Sequence, residues 1–194
     1  MRLSTPEKNL MNASNLWYLG EGLFGPLFAV FSAQLGGTLL DVTWAWAIYM
    51  VVTGFATMAV GKIALNTRRQ QWLAVLGYSI NTLMTFGYAF VSTPFQLTIL
   101  QMMLGVAQAF ATPTWYALYT QFGTKTGSDA WGQVQGQSNI VTGLAFVVGG
   151  LIATYVSFTA LFVMMGLVQL AATISMVAVL FVREEIPYLE PEQA

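Results

Sequence analysis

Six long apolar runs occupy nearly the whole chain, and they restrict its fold more than any other feature. Of the 194 residues, 56% are hydrophobic and 8% are charged, against about 25% charged in a typical soluble domain. About 20 helical residues cross the hydrocarbon core of a bilayer, and each run is close to this length or exceeds it. Because a backbone in lipid must satisfy its own hydrogen bonds, the sequence predicts an all-α polytopic membrane protein with six transmembrane helices.

The residue types that the chain lacks exclude most catalytic sites. It has no cysteine and no histidine, so it cannot contain a disulfide, a thiolate nucleophile, an imidazole base or a His/Cys metal centre. Its net charge is only −1, and no long basic run indicates nucleic-acid binding. We therefore expect a protein of the lipid bilayer that is not an enzyme and has no cofactor, no metal and no nucleic-acid partner.

The distribution of charge predicts how the chain is inserted. The apolar runs lie at 16–34, 42–65, 72–91, 95–118, 134–156 and 158–182. With six spans, all seven basic residues fall on the side of the two termini, so the positive-inside rule predicts cytoplasmic termini. The first run has no small-residue cleavage site at its end, and we expect it to be retained as a span. The expected location is the inner membrane of the cell.

Glu21 lies within the first apolar run and is the leading candidate for a functional residue. A charged group at the centre of a bilayer costs about 2.5 to 3.5 kcal/mol on insertion scales, so it usually faces a cavity or a partner. Tyr18 and Phe28 lie near Glu21 at helical spacing and form an aromatic face. We expect these three residues to take part in substrate binding or proton coupling. The alternative is that Glu21 lies near the start of the span and reaches the interface.

The fourth run carries a polar stripe. Gln101, Gln108, Thr112 and Trp115 fall near one angular position at 100° per residue. Gln101, Gln108 and Trp115 are therefore candidate substrate ligands in a central cavity lined by spans one and four. The alternative for the two glutamines is hydrogen bonding between helices.

Small residues recur on the second and fifth runs. Glycine lets two helices approach closely, so the pattern predicts helix packing on these faces. The candidate packing residues are Gly54, Gly61, Gly136, Gly143 and Gly150.

A weak internal repeat divides the chain into two similar units. The 87 positions that separate Pro26 from Pro113 also separate two glutamines, two glycines and two tryptophans, and they pair Glu21 with Gln108. Weak repeats of three spans are typical of transporters, and an odd number of spans makes such a repeat inverted. We therefore predict a 3+3 inverted repeat in one membrane domain, with units at 1–91 and 92–183 and an acidic tail at 184–194.

The layout resembles one half of a major facilitator superfamily transporter over essentially the whole chain. Six spans, cytoplasmic termini and a basic loop after the second span all match that family. In this loop Gly61 and Arg69 match the family pattern of glycines, an aspartate and basic residues, whereas Leu65 stands at the aspartate position. The fifth span lacks a Gly-Pro pair, so the family's antiporter signature is not present.

The resemblance implies a secondary transporter. The family has twelve spans in two halves, so this six-span chain, which we expect to be complete from Met1 and its polar tail, predicts a parallel homodimer or a complex with a second six-span half. The expected solute is a small cationic, neutral or amphipathic molecule, with proton coupling at Glu21. The alternative is a non-transporting membrane subunit or assembly factor of a larger complex.

The predicted topology can be tested with cysteine labelling, because the chain has no cysteine of its own. In intact cells a cysteine at Lys8 should be protected from a membrane-impermeant thiol reagent, and a cysteine at Asp41 should react. Labelling at Lys8 would contradict the predicted orientation.

Overall fold

Six long helices make up most of the part of the chain that the structure describes. A computed structural model describes residues 4–123 and 127–181. Each helix is long and apolar enough to cross a membrane, which confirms the all-α, six-span fold predicted from the sequence. We number the helices α1 to α6, and their bounds are Thr5–Gln34, Leu39–Ile63, Thr67–Phe90, Pro94–Phe122, Gly127–Tyr155 and Phe158–Val179. The predicted acidic tail at 184–194 lies outside the described residues.

Six crossings return the chain to the side of the membrane where it began. We call the side on which α1 begins and α6 ends the terminal side, and the opposite side the distal side. Residues early in α1, α3 and α5 and late in α2, α4 and α6 therefore lie toward the terminal side.

Helix α1 begins eleven residues before the predicted start, at Thr5 instead of Leu16. The Ser4 hydroxyl accepts a hydrogen bond from the backbone N–H of Glu7 at 3.3 Å, and this caps the helix. At about 1.5 Å per residue, Glu21 lies about 24 Å from Thr5 and about 20 Å from Gln34 along the helix. Glu21 therefore lies near the middle of α1 rather than near its beginning.

Helices α3 and α5 also begin well before their predicted starts, by five and seven residues. Helix α3 begins at Thr67 because the Asn66 side chain accepts a hydrogen bond from the N–H of Arg69 at 2.9 Å. The basic residues assigned to a loop are thus in the first turn of α3. Helix α5 begins at Gly127 instead of Val134, so residues 127–133 extend the predicted span.

The two repeat-related prolines have different effects on their helices. Helix α1 changes to a short 3-10 segment at Gly25–Leu27, which contains Pro26. Helix α4 instead continues through Pro113. There the Thr114 hydroxyl donates to the backbone carbonyl of Ala111 at 3.0 Å, and hydroxyl groups of this kind help to satisfy the backbone around a proline in a membrane helix.

The two halves of the chain are interleaved. Helix α1 packs against α5 and α6, and α4 packs against α2 and α3. If α1, α2 and α3 are matched with α4, α5 and α6 in that order, each of these contacts is matched by the other. The remaining large contact, between α3 and α6, joins two matched helices. This arrangement is the one expected of an inverted repeat of two three-span units. The connection 91–93 lies between α3 and α4, and the division into units at this point stays a prediction.

Four glycines allow neighbouring helices to approach very closely. A Cβ atom on Gly149 of α5 would collide with the backbone carbonyl of Leu23 in α1. A Cβ atom on Gly22 would lie 2.8 Å from a side chain of α5. Similar approaches involve Gly77 of α3, against the backbone of α4, and Gly105 of α4, against the backbone of α2. The contacts that interleave the two units therefore depend on these small residues.

The five glycines predicted to pack helices have a different environment. A Cβ atom built on any of them meets no atom of the described residues within 4 Å. Packing inside the chain is therefore not their role, and contact with another molecule stays a prediction. These residues are Gly54, Gly61, Gly136, Gly143 and Gly150.

Two adjacent glycines of α5 provide a matched test of this packing. Gly149→Ala should lower the free energy of unfolding by about 1 to 3 kcal/mol, because the added methyl group overpacks the contact with α1. Gly150→Ala adds the same methyl group where the chain leaves open space, and it should change stability little. Thermal unfolding in a detergent that keeps the chain monomeric measures both. Equal melting temperatures for the two variants would contradict the contact.

Candidate functional site

One cavity, which we call the large cavity, lies between α1, α3, α4 and α5, in the half of the bundle nearer the terminal side. Its volume is about 410 Å³, which is within the range of small-molecule sites. None of its lining residues carries a charge. Six aromatic residues form much of its wall: Trp17, Tyr18, Tyr78, Trp115, Tyr116 and Trp131.

Ring contacts and an amide define the interior of this large cavity. Trp17 meets Tyr78 edge-on with ring centroids 4.7 Å apart, and Tyr116 meets Trp131 at 5.4 Å. Gln108 also lines the cavity, and its Oε1 atom is buried without a hydrogen-bond partner among the described residues. The cavity thus combines flat apolar surfaces with a hydrogen-bond acceptor that is available to a solute.

Trp115 has a structural bond as well as a place in the cavity wall. Its Nε1 donates to the backbone carbonyl of Leu10 at 2.9 Å, and its ring stacks on Tyr119 at 5.0 Å. Because this N–H is already used between α4 and α1, only the ring of Trp115 is available to a solute.

The second cavity is smaller and lies in the distal half of the bundle. Its volume is about 80 Å³, which suits an ion and a few waters rather than an organic solute. Three of the predicted site residues line it: Glu21, Phe28 and Gln101. The other polar and aromatic residues of its wall are Phe24, Trp46, Tyr49, Asn81, Thr85, Tyr88 and Gln169.

The structure corrects the expectation of one central cavity. Tyr18, Gln108 and Trp115 line the large cavity, whereas the other three candidates line the small one. The boundary between them includes Gln169 of α6, whose Nε2 donates to the backbone carbonyl of Trp17 at 3.1 Å. Trp17 lines the large cavity and Gln169 lines the small one. The binding roles of all six candidates stay predictions.

The inverted repeat relates the two cavities to each other. Each residue of α1 or α4 that lines the small cavity has a partner 87 positions away in the other of these two helices, and that partner lines the large cavity. The pairs, small cavity first, are Glu21 with Gln108, Phe24 with Ala111, Gly25 with Thr112, Phe28 with Trp115, Gln101 with Ser14, and Leu104 with Trp17. The two units therefore build equivalent cavities, but only one of the two contains a carboxylate.

Sequence reasoning missed the contributions of α3 and α6. Asn81 and Thr85 on α3 and Gln169 on α6 line the small cavity, and Tyr78 lines the large one. A signal was present, since Gln169 is the one amide in the most apolar of the six helices. Like Glu21, Gln169 is a polar group in an apolar span, and such a group usually faces a cavity or a partner.

One face of the bundle is left uncovered. Glu21 is exposed in the isolated chain, although it lies midway along α1. Only 6% of the apolar segment of α2 and 17% of that of α5 is buried, against 39% to 44% in the other four helices. A carboxylate at this depth is costly in lipid. We therefore expect protein to cover the face on which Glu21 lies.

No group of three or more acidic residues that could hold a metal occurs in the described part of the chain. The large cavity offers aromatic and amide contacts, and the small cavity offers one carboxylate with uncharged amides. Solute binding and ion binding are the chemistry that these groups support.

Comparison with known proteins identifies a family model and a relative that match this chain. The sequence profile described as Major Facilitator Superfamily matches residues 10–194. An uncharacterized MFS-type transporter of Methanocaldococcus jannaschii is 28% identical over 134 residues, which are 68% of this chain and 33% of the relative. The aligned region thus spans about a third of the length of that relative.

Proposed function

We propose that this chain, which belongs to the Major Facilitator Superfamily, is one half of a secondary membrane transporter and acts as a parallel homodimer. The observation that carries the proposal is the pair of repeat-related cavities, one the size of a small molecule and one that contains a mid-span carboxylate. Transporters of this architecture bind solute and coupling ion near the middle of the membrane, at repeat interfaces.

The large cavity is the proposed solute site. Stacking on its aromatic rings favours a solute with a flat apolar part, and Gln108 provides an amide for a polar group. Its lining residues include no arginine or lysine that would balance an anion. The proposed solute is therefore small and either uncharged or singly cationic, since a cation gains from the faces of tryptophan and tyrosine rings.

The small cavity is the proposed coupling site. Glu21 can take up and release a proton, and it lies midway through the bundle on the helix that contributes to both cavities. Tyr18, which precedes it by almost one helical turn, lines the solute cavity. Proton exchange at Glu21 and solute binding near Tyr18 are thus placed close enough to affect each other.

A second copy is the proposed cover of the open face. The exposed glycines of α2 and α5 permit close helix contact, and a twofold axis is the commonest symmetry of a pair. Both copies would insert in the same orientation, with cytoplasmic termini, because the basic residues lie on one side. The proposed location of the dimer is the inner membrane of the cell.

Transport by the purified protein in proteoliposomes tests the coupling. Ethidium, an aromatic monocation, serves as the probe, and its flux is measured with and without a pH gradient. Wild-type flux should depend on the gradient. Glu21→Gln should still bind ethidium but should lose this dependence, because an amide cannot exchange a proton.

Asp41→Asn is the matched control, since Asp41 lines neither cavity. It should keep the dependence on the gradient. Coupled flux in the Glu21→Gln protein would remove Glu21 from the mechanism. If the wild type moved neither ethidium nor an uncharged aromatic dye, a non-transporting membrane subunit would be the better proposal.

The dimer interface has its own test at Gly143. Gly143→Leu should weaken the dimer while the chain still inserts, because overpacking costs about 1 to 3 kcal/mol per contact and twofold symmetry applies it twice. The mass of the protein in mild detergent, measured over a range of concentrations, gives the dimer fraction. An unchanged fraction would place the interface on another face.

A further inference from the structure

Two buried amides of the small cavity have unpartnered atoms. Asn81 and Gln169 are each only 1% exposed. The Nδ2 atom of Asn81 and the Oε1 atom of Gln169 have no hydrogen-bond partner among the described residues. A buried polar atom left in this way is unfavourable, and such atoms in proteins are usually satisfied by a water or a ligand. The small cavity therefore has a donor and an acceptor ready for an occupant.

The charge of the cavity narrows the chemistry of that occupant. Glu21 is the one charged residue of its lining, so a bound cation with a single positive charge balances it. A divalent ion would leave a net positive charge at low dielectric, which is costly. The other ionisable groups that face Glu21 are tyrosines, which carry no charge near neutral pH. They are Tyr49 and Tyr88 in the small cavity and Tyr18 and Tyr78 beside it.

The volume of the cavity is consistent with a partly hydrated ion. About 80 Å³ accommodates an ion and a few waters. The acceptor oxygens of Glu21 and Gln169 suit a hard cation, and a water bound to the cation can still accept a hydrogen bond from Nδ2 of Asn81. A partly hydrated cation would therefore contact Oε1 of Gln169, hold a water against Nδ2 of Asn81 and balance the charge of Glu21.

We propose that the small cavity binds one monovalent alkali-metal cation, held by Glu21 and Gln169 and by a water bonded to Asn81. The inference rests on the proposed function, because it gives the coupling carboxylate a second ion that competes with the proton. The repeat limits the stoichiometry to one cation per chain, since Gln108 stands at the position equivalent to Glu21 in the large cavity.

Equilibrium binding of ²²Na⁺ to the purified full-length chain, with no solute present, tests the proposal. The wild type should bind one sodium ion per chain, and unlabelled NaCl should displace it whereas choline chloride should not. Lowering the pH should weaken binding, because protons then occupy Glu21. Glu21→Gln and Gln169→Leu should each weaken binding about tenfold or more, as expected when a bond to a charged group is lost.

Gln137→Leu is the matched control for Gln169→Leu, because Gln137 is also an intramembrane amide but lines neither cavity. Its sodium affinity should equal that of the wild type. Asn81→Asp preserves side-chain size and adds a second carboxylate, so Ca²⁺ should displace sodium from this variant but not from the wild type. This gain of selectivity would not follow from a merely structural role.

The outcomes separate this inference from the proposed function. Absence of specific sodium binding by the folded wild type, or wild-type affinity in Glu21→Gln, would overturn the cation site, and ethidium flux would remain the test of transport. Sodium binding that behaves as expected, together with no solute flux, would support the cation site and contradict the transporter.

Discussion

The contact between α1 and α5 at Gly149 is the constraint on which both cavities depend. It brings α5 against the backbone carbonyl of Leu23, two residues beyond Glu21 on the same helix. The large cavity is lined by residues of α1 and α5 on the terminal side of this contact. In the other half of the chain, Gly105 brings α4 against the backbone of α2 beside the small cavity.

Hydropathy was sufficient to predict the six spans. The helix ends were wrong because hydropathy measures lipid compatibility, whereas helices begin where side chains cap them, at Ser4 and Asn66. Those caps are local signals that a capping analysis could have found. The division of the site into two cavities depends on how α3 and α6 pack against the other helices. A single sequence does not show which helices pack together, so it could not predict this division.

The glycines show why composition alone does not locate an interface. The spacing of Gly136, Gly143 and Gly150 looked like a packing face, and Gly149 was not singled out. Of these four glycines of α5, only Gly149 lies against another helix. A Cβ atom on any of the other three would meet open space. Spacing along a helix indicates that residues share a face. It does not indicate whether that face meets the same chain, a second copy or lipid.

The difference between the two cavities is the final feature that needs a physical reason. An inverted repeat produces two equivalent cavities, yet Glu21 is matched by the neutral Gln108. If both were carboxylates, one chain would hold two charges within one bundle, and a pair of chains would hold four in a region of low dielectric. With a single carboxylate per chain, only the small cavity has a charge that would favour a proton or a small cation, whereas the wall of the large cavity is uncharged. Under the proposed function, the carboxylate of Glu21 and the larger volume of the neutral cavity would together give the two three-helix units separate roles.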